Sequence, residues 1–82
     1  MNDEQLLKRI EQNRDVMAGK PVVRGTRLSV EFILNLLAHG ASDDEILAEY
    51  QGLESDDIRA CLLFAGKLAG DASFMPRGRE SA

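Results

Sequence analysis

The sequence predicts a mainly α fold: a three-helix, homeodomain-like bundle with helix-turn-helix order, preceded by a short N-terminal β-hairpin. Three observations carry that expectation. Val30, Ile33, Leu34 and Leu37 fall at i, i+3, i+4 and i+7, the spacing of one buried helical stripe, and Ile58, Cys61, Leu62, Ala65, Leu68 and Ala69 repeat at helical spacing further on. Between them, Ser42-Asp43-Asp44-Glu45 has the form of a capping box at the start of a short helix. Ahead of all three, Gly19 to Val30 sets two short apolar runs among glycines, a proline and cations, as a tight hairpin does.

Taken in order, residues 5–12 carry mixed signals. Leu6, Leu7 and Ile10 fit a helical face, whereas Lys8-Arg9-Ile10-Glu11 reads equally as a strand. Asn13-Arg14-Asp15 and Ala18-Gly19 are turn chemistry. Pro21 cannot donate to a ladder and belongs at the start of an edge strand. Val22-Val23, Arg24-Gly25 and Thr26-Arg27-Leu28 then read as strand, turn and strand, with Gly25 at a positive-φ turn position. Ser29 caps the first bundle helix, Gly40 ends it, and Gln51-Gly52 closes the second. Ser55 or Asp56 is expected to cap the third. The β-segment spans about 8–29 and the helices about 30–39, 43–50 and 55–69. Residues 1–70 form one domain, and 71–82, without periodicity, read as a flexible tail in which Phe74 and Met75 could anchor on a partner.

Composition bounds the function. A chain of 82 residues with no tryptophan has a small aliphatic core, and such chains often bury a face in an oligomer. A single cysteine, Cys61, excludes an internal disulfide framework, and no apolar run is long enough to span a bilayer, so a cytoplasmic protein is expected. The net charge of −4 is unevenly spread. Residues 30–57 hold Glu31, Asp43, Asp44, Glu45, Glu49, Glu54, Asp56 and Asp57 with no lysine or arginine, while Arg59, Lys67, Arg77 and Arg79 follow. A polyanion could approach only the hairpin, the last helix and the tail.

The combination Gly19-Lys20-Pro21-x-x-Arg24-Gly25-Thr26-Arg27, an apolar helix ending at Gly40, Ser42-x-x-Glu45-Ile46-Leu47-x-x-Tyr50, Leu53 and Asp57-Ile58-x-Ala60 closely resembles the family of small prokaryotic proteins called domain of unknown function 433, over roughly residues 7–68. The resemblance implies a β-segment followed by a homeodomain-like three-helix domain. It also implies dimerisation and an antitoxin role beside a ribonuclease toxin of the PIN-domain type. The sequence departs from the family pattern at Ala18, where a second glycine is usual, at Gln51, where proline is common, and at Glu54, where a threonine or serine usually caps the last helix.

Candidate contact residues for nucleic acid or a partner are Lys20, Arg24 and Arg27 in the hairpin and Arg59 and Lys67 on the last helix. The competing structural reading pairs Arg24 or Arg27 with acids such as Glu31 or Asp15 in the same or a neighbouring subunit and gives the strands to dimerisation. The acidic first turn Glu54-Ser55-Asp56-Asp57 would repel phosphate where a recognition helix reads bases. Val22, Val23 and Leu28, with Phe32 and Leu36 on a second face of the first helix, suggest a dimer interface, against the simpler reading of packing within one chain. Catalytic and cofactor readings fail on inventory. The lysine after Gly19 lacks the remaining residues of a phosphate-binding loop, His39 is the only histidine, and one histidine with one buried cysteine builds no zinc site. With enzyme activity and cofactors set aside on inventory, the resemblance supplies the leading expectation: an antitoxin-like protein that neutralises a ribonuclease toxin and binds operator DNA as a complex. The alternatives are a stand-alone helix-turn-helix regulator and a dimeric interaction module.

Overall fold

A computed structural model describes residues 1–15 and 17–70; the tail, with Phe74, Met75, Arg77 and Arg79, lies outside the described residues. The order is α1 (Asp3–Leu7), β1 (Ile10–Glu11), a 3-10 turn (Met17–Gly19), β2 (Val22–Val23), α2 (Val30–Ala38), α3 (Asp43–Glu49) and α4 (Ser55–Ala69). The fold is mainly helical with a two-stranded antiparallel sheet near the N-terminus.

The ambiguous first segment is both things in turn. Asn2 caps α1 by accepting from the Gln5 N–H at 2.8 Å, while the Gln5 side chain accepts from the Asn2 N–H at 3.0 Å. This reciprocal cap starts the helix at Asp3, earlier than the apolar spacing suggests. Leu6 is buried, and α1 packs on α4. The chain then turns into β1.

The hairpin differs from expectation in its pairing. β2 pairs in ladder fashion with β1, Ile10 opposite Val23 and Glu11 opposite Val22. On its other side the Val23 N–H donates to the Leu28 carbonyl at 2.9 Å, and Val22 bridges Ser29. The expected turn is present: the Thr26 N–H donates to the Val23 carbonyl across Arg24-Gly25, with Gly25 at φ 83°. β2 is therefore flanked on both sides and is not a free edge. Joining β1 also gives Ile10 a place against the core.

The three bundle helices begin as their caps dictate. Ser29 Oγ accepts from the Phe32 N–H, and Ser42 with Glu45 forms the reciprocal box at 3.1 and 2.8 Å. α2 closes through Gly40 at φ 97°, with the Gly40 N–H on the Leu37 carbonyl and the Ala41 N–H on the Leu36 carbonyl. This paired closure satisfies two terminal carbonyls. Val23, Val30, Ile33, Ile46, Ile58 and Cys61 make the core, drawn from β2 and all three bundle helices.

Candidate partner-binding surface

The five cations singled out in the sequence do not form one patch. Lys20 pairs with Glu31 on α2 at 3.2 Å, between two exposed side chains, a pair worth little in water. Arg24 and Arg27 have no ion-pair partner among the described residues, and they line different depressions. Arg24 lies with Lys8, Arg9, Glu54 and Asp57, and Arg27 with Glu11, Asp15 and Thr26. Glu31, one of the acids that the structural reading offered to Arg24 or Arg27, is held within the chain by Lys20. On α4, Arg59 and Lys67 are exposed and stand 3.9 Å from Asp56 and Asp3 respectively.

The charged centre that sequence reading missed is Arg9. Its Nη1 donates to Glu54 Oε1 at 2.8 Å and to Asp57 Oδ1 at 3.0 Å, with Asp56 at 3.9 Å from Nη2. Hydrogen bonds to Glu54 and then Asp57 raise the pKa of the guanidinium above its ordinary value. Asp57 is 7% exposed, and its second oxygen accepts from the Glu54 N–H at 2.8 Å. The cap position of α4 is thus Glu54, with Asp57 reaching back, rather than Ser55 or Asp56. Arg9 lies 45 residues from Glu54 in sequence, so no local signal announces the pair. Lys8 and Arg24 line the same depression as Arg9, Glu54 and Asp57, and Arg59 stands by Asp56, so the three carboxylates at the start of α4 lie among cations, with Arg9 bonded directly to two of them.

The proposed dimer-interface residues divide. Val22 and Val23 are each 1% exposed within a single chain, so they are core rather than a free face. Leu28 and Leu36 are partly buried against that core. Phe32 remains 38% exposed, its ring edge-on to Tyr50 with centroids 5.4 Å apart. Among the described residues, two apolar depressions are open. One, between α2 and the end of α4, measures about 380 Å³ and is walled by Leu34, Ala38, Phe64, Ala65 and Leu68. The other, between α2 and α3, measures about 300 Å³ and is lined by Leu36, Ala41, Ile46 and Tyr50 with Glu45 and Glu49.

No described group of three or more His, Cys, Asp or Glu side chains could hold a metal. Cys61 is fully buried, and desolvation, with the Asp57 charge adding to it, pushes its thiol up to about 11. His39 sits at the C-cap of α2 with Nδ1 2.7 Å from the Asn35 carbonyl, a capping role. No described helix is long and apolar enough to cross a membrane.

The family described as Protein of unknown function (DUF433) matches residues 10–65, from β1 through most of α4 and well over half of the 82 residues. This chain belongs to the DUF433 family. The crystal structure of a DUF433 member from Anabaena variabilis is similar, with a TM-score of 0.73 and 27% identity over 85% of this chain and 69% of that one. No curated protein matches the chain significantly. Ala18, where the resemblance led to the expectation of a second glycine, sits at φ 58°, ψ 33°, in the left-handed region that a glycine adopts without strain.

Proposed function

We propose that this DUF433 protein is a cytoplasmic, non-catalytic, antitoxin-like partner that neutralises a ribonuclease toxin of the PIN-domain type by covering its cationic site. The observation that carries the reading is the state of α3. Asp43, Asp44, Glu45 and Glu49 have no ion-pair partner among the described residues, whereas Glu31, Glu54, Asp56 and Asp57 all do. Within the acidic stretch 30–57 the uncompensated acid is therefore gathered on α3, while Glu4, Glu11 and Asp15 stand singly elsewhere among the described residues. A ribonuclease site is built to attract polyanions, so a surface of that sign is steered toward it and away from DNA.

A homodimer belongs to the same reading, and the open apolar groove between α2 and α4 supports it better than the buried valines of β2 do. Operator binding would be a property of the toxin complex. The stand-alone regulator is opposed by Glu54, Asp56 and Asp57 themselves, which put carboxylates in the first turn of α4 where a recognition helix meets the duplex and engage Arg9, which could otherwise meet phosphate.

Co-expression tests the proposal. The gene adjacent to this one, expressed alone, should arrest growth and yield a ribonuclease that the purified chain inhibits stoichiometrically. A neighbour without ribonuclease activity, or one that this chain leaves uninhibited, removes the antitoxin reading. Operator DNA that shifts with this chain alone, with affinity falling as salt rises, would favour the regulator instead.

A further inference from the structure

The cleft between α2 and α3 has a chemistry that specifies more than a partner's charge. Its floor is Ile46, which is 1% exposed, and its walls are the half-buried Leu36, Ala41 and Tyr50. Phe32, edge-on to Tyr50 and 38% exposed, extends the apolar surface along α2. At about 300 Å³ the cleft is at the lower end of ligand pockets, suited to a protein side chain rather than a large cofactor.

Glu45 and Glu49 line the same cleft. They are four residues apart on one helix, where like charges repel. Glu45 has a local reason to be acidic, since its carboxylate caps the Ser42 N–H at the positive end of the helix dipole. Glu49 has none. It stands in the last turn of α3, at the negative end of the dipole, with no basic residue there to offset it. No described cation bridges the two.

We infer that this cleft docks a protein segment in which an aliphatic side chain is flanked by arginine or lysine. The aliphatic group fills the space over Ile46 between Leu36 and Tyr50, and the cation lies between the Glu45 and Glu49 carboxylates. Charge selects this occupant. A nucleic acid would bring phosphate to two carboxylates. A second copy meeting itself through this face would bring a second pair of the same acids. The inference rests on the reading that the chain works by binding a cationic protein, and it names where that protein is held.

The test is an amide NMR titration of the full chain with the blocked peptide Arg-Leu-Leu-Arg, with Glu-Leu-Leu-Glu as the control. The expected result is saturable shifts at Leu36, Ala41, Ile46 and Tyr50 at millimolar peptide, absent with the control. Binding should weaken about tenfold in E45Q/E49Q, in which the shorter-range cap on Ser42 is kept because a glutamine side chain also accepts from the N-cap amide. Shifts confined to other surfaces, no saturation, or equal affinity in E45Q/E49Q would overturn the inference. So would dimerisation through this face that E45Q/E49Q strengthens, which would make a second copy the occupant. A toxin inhibited equally by wild type and E45Q/E49Q removes this cleft and leaves the antitoxin reading standing. Saturable peptide binding without toxin inhibition does the reverse.

Discussion

Ala18 holds a left-handed conformation that disfavours any side chain with a Cβ by about 1 kcal/mol, and Met17 beside it is at φ 49°. Ala18→Gly should therefore stabilise the chain, by about 0.5 kcal/mol after the added freedom of the unfolded glycine is subtracted. Urea unfolding measures it, and a lower midpoint than wild type would refute the strain. Cys61 supplies a second residue-level expectation. Its folded pKa of about 11 lies above the ordinary 9.0, so the native state keeps its proton where the unfolded chain gives it up. The stability this thiol contributes is complete below pH 9.0 and is lost as pH rises toward about 11. Cys61→Ala should flatten that alkaline decline, and native Cys61 should react with a thiol reagent only as fast as the chain opens.

At the level of elements, the start of α4 depends on a residue of the β1 approach. Arg9 satisfies Asp57, which is almost buried and already holds the Glu54 amide. Removing the cation leaves that carboxylate desolvated and unpaired, a costlier state than losing an exposed pair. Arg9→Met should thus lower the thermal midpoint more than Arg59→Met, whose pair with Asp56 is long and exposed. The gap between the two variants should persist in high salt, since screening acts on exposed pairs first. Equal losses would mean that Arg9 is only a surface charge. The caps of α2 and α3 were legible because Ser29, Ser42 and Glu45 act within three residues of their partners. The Arg9 contact and the pairing of Val22-Val23 with Ile10-Glu11 were not, because each joins segments that local pattern cannot connect.

For the whole molecule, a single small core carries the fold. Ile33, Ile46 and Ile58 are fully buried in it together. Truncating one such side chain costs about 2–5 kcal/mol, against a total near 5–15 kcal/mol for typical domains. Ile58→Ala should leave a marginal protein with a broadened thermal transition, whereas Ile58→Val should lose only about 1 kcal/mol. The exposed Leu68, at 69%, belongs to the apolar groove of α2 and α4. If that groove is the dimer face, Leu68→Glu should shift sedimentation to the monomer without unfolding the chain. A wild-type monomer at the same concentration would remove the dimer from the proposal.

Sequence alone determined the three bundle helices, the caps of α2 and α3, the Gly25 turn and the family, because each depends on periodicity or on contacts a few residues long. It also exposed the acid-only stretch from 30 to 57, since charge is counted without a fold. Only the tertiary structure decided which of those acids are paired and which are left on α3. It also placed Val22 and Val23 inside one chain and left Phe32 beside an open cleft. The reason is physical: apolar pattern says that a residue must be buried, and only packing says against what.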